Sequence, residues 1–297
     1  MMPQARTLDR RAVLVMLVLC ASWGFNQVTA KLALADIPPL TQAAMRSVGA
    51  TLLLGAWGLW SVPKLFARDG TLWPGLLAGA AFGAEFVLLY LGLQWTSAGH
   101  AILFLYTAPF FVAIGLVWVT PNERLSALQW SGLVLSFIGV ALALGLSGAV
   151  SRAGLMGDGL ALAAGALWAA TTLVVKGSRL LTAPPVKVLL YQVGTSVVIL
   201  TTGAVVSGEP WPTHVSALTI ACMVYQTVWI VGVTFLVWFW LISAYRAGEL
   251  SAFTFITPPI GVAAGWLVLH ERIEPSFAAA VGCVAAGLLL VTWPRRA

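Results

Sequence analysis

Charge is scarce in this chain. Only 9% of its 297 residues are Asp, Glu, Lys or Arg, against 60% hydrophobic types, where a soluble domain carries about a quarter charged residues. So few charges cannot solvate a globular surface. The shortage excludes an ordinary cytoplasmic enzyme and a disordered regulator. The net charge of +6 does not make a nucleic-acid binder either, because the basic residues form no stripe. Cysteine is scarce too: Cys20, Cys222 and Cys283 each sit inside an apolar run, which speaks against a disulfide or metal framework. There is no Walker A loop, H-E-x-x-H pair or G-x-S-x-G elbow, so neither direct ATP use, a metal site nor hydrolysis is expected, and no cofactor is implied.

Long apolar runs are what the chain has instead. A bilayer core of about 30 Å takes about 20 apolar residues per helix. Windows bounded by charge or Pro/Gly clusters fall at 12–34, 39–61, 71–95, 99–119, 126–147, 157–176, 186–207, 215–244, 249–270 and 275–293. The first begins after Arg10-Arg11 like a signal peptide, but it runs on to about Leu34, too long for one. The expected fold is an all-α polytopic membrane protein of about ten transmembrane helices, with the lipid bilayer as its surroundings.

Basic residues in short loops set orientation. With the N-terminus inside, twelve Lys and Arg face the cytoplasm, while Lys31, Arg152 and Arg272 face outward and Arg46 lies within a span. Both termini are therefore expected in the cytoplasm.

The sequence matches itself at a shift of about 145–150 residues. Trp23 and Lys31 answer to Trp168 and Lys176, Pro38-Pro39 to Pro184-Pro185, Ala98-Gly99 to Ala247-Gly248, Pro109 to Pro258, and Glu123-Arg124 to Glu271-Arg272. Halves at 1–150 and 151–297 would each hold five spans, an odd number, so the second would enter the membrane upside down. Inverted repeats of this kind characterise secondary transporters that rock around a central site.

These residues resemble a known group. Trp23-Gly24-x-Asn26-x4-Lys31, Arg46, Pro109 with Glu123-Arg124, and Pro258 with Glu271-Arg272 are similar to motifs of the drug/metabolite transporter superfamily, EamA type. The resemblance spans both halves. It implies two inverted five-helix repeats and a cavity lined by spans one, three, four, six, eight and nine. Within the superfamily the Trp-rich chain looks most like bacterial aromatic amino-acid exporters of the inner membrane, whose partner is a small-molecule substrate. The second half departs from the first where Gln192 stands for Arg46 and Glu249 for His100.

Glu85 is the acidic residue at mid-membrane depth, where a charge costs about 3 to above 10 kcal/mol unless it is paired, neutral or wetted. It is either a cavity carboxylate that meets a substrate ammonium or titrates, or a carboxylic acid hydrogen-bonded between helices. Arg46, in the outer half of span two, reads as a structural pair or an outward-snorkelling side chain, with a substrate carboxylate as its other role. Lys31 and Lys176 read as interfacial anchors. Asn26 and Gln27 are adjacent and cannot both face lipid cheaply, so at least one faces the interior; Tyr225 and Gln226 invite the same argument. His100 has a titration range suited to proton coupling. Pro109, Pro258 and Pro259 sit at corresponding depths, where lost backbone hydrogen bonds bend a helix and shape or gate a cavity. Most of the 14 tryptophans fall near span ends as an aromatic belt. Trp23, Trp168 and Trp229 lie deeper and, with Tyr106, complete the candidate lining.

Three function classes stay open: an exporter of amino acids, aromatic ones favoured; a broad drug or metabolite exporter of the same fold; and an intramembrane enzyme using Glu85.

Overall fold

In a computed structural model, the described residues are 6–96, 98–120, 123–143, 152–270 and 275–293. They are almost entirely helical. Helix α1 (Arg10–Ala33) starts where Asp9 accepts a hydrogen bond from the Ala12 amide at 2.8 Å, the side-chain cap that satisfies an otherwise unpaired donor. Helices α2 (Pro39–Ser61) and α8 (Pro185–Val206) both open on a proline, which needs no partner for its missing N–H at that position. Between them in sequence run α3 (Leu72–Gly92), α4 (Ala98–Leu105), α5 (Ala108–Val119), α6 (Ala127–Ala143) and α7 (Arg152–Lys176). The chain closes with α9 (Ala217–Val224), a π-helical stretch at Tyr225–Thr234, α10 (Phe235–Ala244), α11 (Ala247–Phe253), α12 (Thr257–Leu269) and α13 (Phe277–Val291).

Seven helical stretches among the described residues are long and apolar enough to cross a membrane; α6 and α13 are shorter apolar helices, and α2 runs for 23 residues. With α4–α5, α9–α10 and α11–α12 each counted as one crossing, these give the ten spans that the sequence leads one to expect. The chain is a multi-pass membrane protein. Its outer faces carry exposed tryptophans near helix ends, among them Trp57, Trp60, Trp73 and Trp118.

The structure changes three spans. The run 99–119 is broken at Tyr106-Thr107, one turn before Pro109, and the run 249–270 is broken at Thr254–Ile256, just before Pro258-Pro259. The prolines therefore start new helices rather than bend continuous ones. At each break a threonine hydroxyl donates to the carbonyl three residues back: Thr107 to Phe104, and Thr254 to Ser251. In the third, the long eighth run absorbs its extra length in the π-helical turn.

Close approaches set the packing. Helices α6 and α13 meet where a Cβ built on Gly132 would lie 2.5 Å from the Gly287 carbonyl oxygen, and one on Gly287 would meet the Gly132 oxygen at 2.5 Å. Small residues at such contacts let membrane helices touch backbone to backbone.

Polar groups concentrate at the two ends of the bundle. At the end where α1 begins, buried Lys176 donates to Glu123 Oε1 at 2.9 Å and to the Tyr245 carbonyl at 2.8 Å, while the Ala247 amide donates to Glu123 Oε2 at 2.8 Å. Arg246 pairs with Glu249 at 3.2 Å, and the Leu8 amide donates to Glu249 at 3.1 Å. The segment before α1 is stitched on by backbone bonds from Arg6 to Ala244 and from Arg246 to Arg6, and by Tyr245 Oη donating to Asp9 at 3.0 Å. Lys176 is thus a buried, fully paired cation and not an interfacial anchor. At the opposite end Asp36 accepts from the Ser216 amide and from the hydroxyls of Ser216 and Thr219, and Glu209 accepts from the first amides of α2.

Candidate functional site

A cavity of about 620 Å³ lies within the bundle, in the size range of small-molecule sites. Its lining runs from Trp23 in the middle of α1 to Leu34 beyond that helix, and from Pro258 to Leu269 along α12. It therefore extends from mid-depth to the Asp36 end of the molecule. The interlocked residues around Lys176 and Glu249 lie at the other end.

The floor is aromatic. Trp23 meets Trp238 edge-on at 5.6 Å and Phe235 at 6.2 Å; Phe82 meets Phe235 at 6.1 Å and Phe86 at 5.2 Å; Tyr106 meets Trp168 at 5.4 Å. Edge-to-face pairs of this kind add rigidity beyond their burial. Trp23 is fixed further by its Nε1 donating to Thr234 Oγ1 at 2.9 Å. The π-helical turn serves this arrangement: Ile230 and Phe235, five residues apart, both reach the lining. A helix with wider turns at a functional site is a recurrent device.

Two charges face the cavity at mid-depth, Glu85 on α3 and Arg46 on α2. Glu85 is 7% exposed and Arg46 6%. The guanidinium sits over the Phe86 ring, 4.7 Å from its centroid, a cation–π contact. Lys31 stands at the cavity's outer reach.

Of the residues singled out from sequence, Trp23, Asn26, Gln27, Glu85, Tyr106, Trp168 and Pro258 line this one cavity. Tyr225, Gln226 and Trp229 do not. Tyr225 Oη donates to the Ser22 carbonyl at 3.1 Å and Trp229 Nε1 to the Ser22 hydroxyl at 3.0 Å, so both tie the π-helical turn to α1; Gln226 is buried off the lining. Pro109 and Pro259 are also buried off the lining and act at the helix breaks. The side chain of His100, and Glu271-Arg272, lie outside the described residues. Gln42, Tyr90, Phe86 and Trp238, not among the sequence candidates, also line the cavity, as does Gln192, which the sequence offers only as the repeat counterpart of Arg46. Phe82 and Phe86 flank Glu85 one turn apart on α3, a signal the sequence does carry.

A model of the EamA-like transporter family matches residues 10–145 and again 155–293. The chain belongs to the EamA-like transporter family. That double match makes the protein two repeated halves. It is similar to an uncharacterized transporter of Bacillus subtilis, 28% identical over 97% of this chain and 93% of that one. It is also similar to two Escherichia coli proteins: a probable amino-acid metabolite efflux pump, 25% identical over 90% of this chain and 89% of the other, and a threonine/homoserine exporter, 25% identical over 92% and 88%. One solved crystal structure shares the fold with a TM-score of 0.79 at 17% identity, over 95% of this chain and 96% of that one. In this EamA-like transporter the cavity is lined by helices drawn from both repeats.

Proposed function

We propose that this EamA-like protein is a secondary transporter that exports amino acids, aromatic ones by preference, across a bacterial inner membrane. In this reading the halves 1–150 and 151–297 are inverted five-helix repeats that alternate access around the shared cavity, with both termini cytoplasmic. The observation that carries it is the aromatic-floored cavity with a carboxylate, Glu85, at its polar edge. Trp23, Trp168, Tyr106 and Phe82 offer ring faces and edges to an aromatic side chain, and Glu85 offers the charge that an ammonium needs. Asn26 and Gln27 add neutral hydrogen-bonding groups on the α1 wall. The Escherichia coli relatives bearing the names of amino-acid exporters support the substrate class.

The cavity's extent sets the conformational reading. Its lining reaches the Asp36 end, while Lys176, Glu123, Arg246 and Glu249 interlock the other end; with both termini cytoplasmic, as proposed, this arrangement corresponds to an outward-facing form. Glu85, with His100 as the second candidate from sequence, supplies the group through which a proton gradient would couple.

Purified protein in liposomes preloaded with tryptophan or phenylalanine is expected to exchange labelled aromatic amino acid, and Glu85→Gln to lower that flux at least about tenfold, the worth of one charge-assisted hydrogen bond. Exchange of unrelated solutes alone would replace the amino-acid reading with that of a broad metabolite exporter. Chemical turnover of a membrane-soluble substrate without vectorial movement would replace transport with catalysis. The same assay with and without a pH gradient reads the coupling.

A further inference from the structure

The bundle holds several buried cations, and all but one are matched. Lys176 has Glu123 and the Tyr245 carbonyl; Lys187 has Asp69 at 2.8 Å and the Ala67 carbonyl at 3.1 Å; Arg246 has Glu249 at 3.2 Å. Arg46 is the exception. Among the described residues no hydrogen bond or ion pair reaches its guanidinium, and its Nη2 is sealed from water without a partner. A buried charge kept for structural reasons is ordinarily paired. The Phe86 ring beneath Arg46 holds the charge without using any N–H donor, so the planar fork that suits a carboxylate is left free in a cavity wall.

Its position suits that use. Arg46 is seven residues into α2 from the Asp36 end, and Glu85 is seven residues short of the same end of α3, so each lies about 10 Å below it by helix rise. The two opposite charges share a depth and a cavity, yet no ion pair joins them. Gln192, which the internal repeat aligns with Arg46, also lines the cavity; it is wholly buried, and both its Oε1 and Nε2 lack partners. The helices bearing the pair are pinned together by Ser196 Oγ on Ser47 Oγ at 3.0 Å.

We propose that Arg46 is the carboxylate-recognising residue of the cavity. The transported molecule then carries a free carboxylate besides the amine that Glu85 meets. This inference rests on the amino-acid reading above and names how such a cargo is told from an amine or a neutral aromatic. The cargo's two charges complete what the protein leaves unpaired, and a molecule without a carboxylate would bury Arg46 with nothing to meet it.

Calorimetric titration of the purified protein with tryptophan, tryptamine, indole-3-propionate and indole separates the two charges. Arg46→Gln is expected to weaken tryptophan and indole-3-propionate about ten- to hundredfold, to leave tryptamine and indole within about threefold, and to shift none of the far-ultraviolet helical signal. Glu85→Gln should instead weaken tryptophan and tryptamine and leave indole-3-propionate and indole nearly unchanged. Arg46→Lys, which keeps the charge and removes the fork, should fall between, and it serves as the test if the glutamine variant does not fold. Equal weakening of all four ligands, or unchanged carboxylate binding in Arg46→Gln, overturns the proposal. If the wild-type protein binds no indole compound, the aromatic preference fails, and the contrast is read on threonine against its methyl ester. Binding of neither form overturns the amino-acid reading and the Arg46 proposal together. Threonine binding that Arg46→Gln leaves intact overturns the Arg46 proposal alone.

Discussion

Single residues carry very different costs here according to their partners. Lys176 is 1% exposed and anchored by Glu123 and the Tyr245 carbonyl. Replacing one member of such a pair strands the other, which costs about 3–5 kcal/mol. Lys176→Met is therefore expected to lower the thermal midpoint in detergent sharply. Lys176→Met with Glu123→Leu should recover part of that loss, though not all, because Glu123 also accepts the Ala247 amide. A double variant no more stable than the single one would show that the pair is not what holds this end together. Asp36 makes a different case. It lies in the loop after α1, and hydrogen bonds from Ser216 first, then Thr219, hold its carboxyl down to about 2. A carboxyl lowered in the folded protein contributes stability that is whole above its ordinary value of 3.8 and is lost as pH falls toward 2. The thermal midpoint of the wild type should therefore drop more steeply across that window than that of Asp36→Asn, while the variant is the less stable at neutral pH. Glu85 and Asn26 were legible as cavity residues because a polar group at mid-span is costly to leave facing lipid, and Trp23 because it lies deep and the internal repeat pairs it with Trp168. The pairing of Lys176 was not legible, because depth along a helix says nothing about a partner on another helix, and for Arg46 the same depth left a structural pair and a substrate carboxylate both open.

At the scale of elements, hydropathy shows where the chain crosses but not where a crossing is interrupted. The stretches 99–119 and 249–270 are predominantly apolar, and nothing in their period announces the breaks at Tyr106-Thr107 and Thr254–Ile256. The prolines do mark the places, since the missing amide of Pro109 and of Pro258 ends the ladder one turn earlier. What sequence could not supply is the pair of threonine hydroxyls that bond back to the carbonyls of Phe104 and Ser251. The π-helical turn at Tyr225–Thr234 was visible only as excess length. Helix contacts are the other element-level property. Because Gly132 and Gly287 pack backbone on backbone, Gly132→Leu must push α6 from α13, and overpacking of this kind costs about 1–3 kcal/mol. Its unfolding midpoint should fall, whereas Gly282→Leu on the same helix pair, where a Cβ meets nothing within 4 Å, should leave stability near that of the wild type. Equal losses in both would mean that helix propensity, not the contact, is being measured.

The whole molecule is organised by its asymmetry between ends. The family match to both halves makes them relatives, yet one end is knitted by Lys176, Glu123, Arg246, Glu249 and the segment Arg6–Asp9, while the cavity lining reaches the other through Lys31, Leu34 and Leu269. The proposed alternating access would require that the knitted end come apart in another state. Glu249 is central, because one carboxylate accepts from both Arg246 and the Leu8 amide. In a variant whose three native cysteines are replaced, a thiol at Leu34 should react in whole cells with a membrane-impermeant reagent added outside. One at Ser251, 5% exposed, should stay unreactive from either side. Adding Glu249→Gln to the Ser251 variant should raise its labelling from the cytoplasmic side in inverted vesicles several-fold, since weakening closure at one end favours the state open there. Saturating cargo should move both thiols in opposite directions. If Ser251→Cys labels as readily without the Glu249 change as with it, the knitted end is not a gate. If Leu34→Cys reacts only in inverted vesicles, the orientation drawn from the basic loops is reversed, and the cavity described here opens to the cytoplasm.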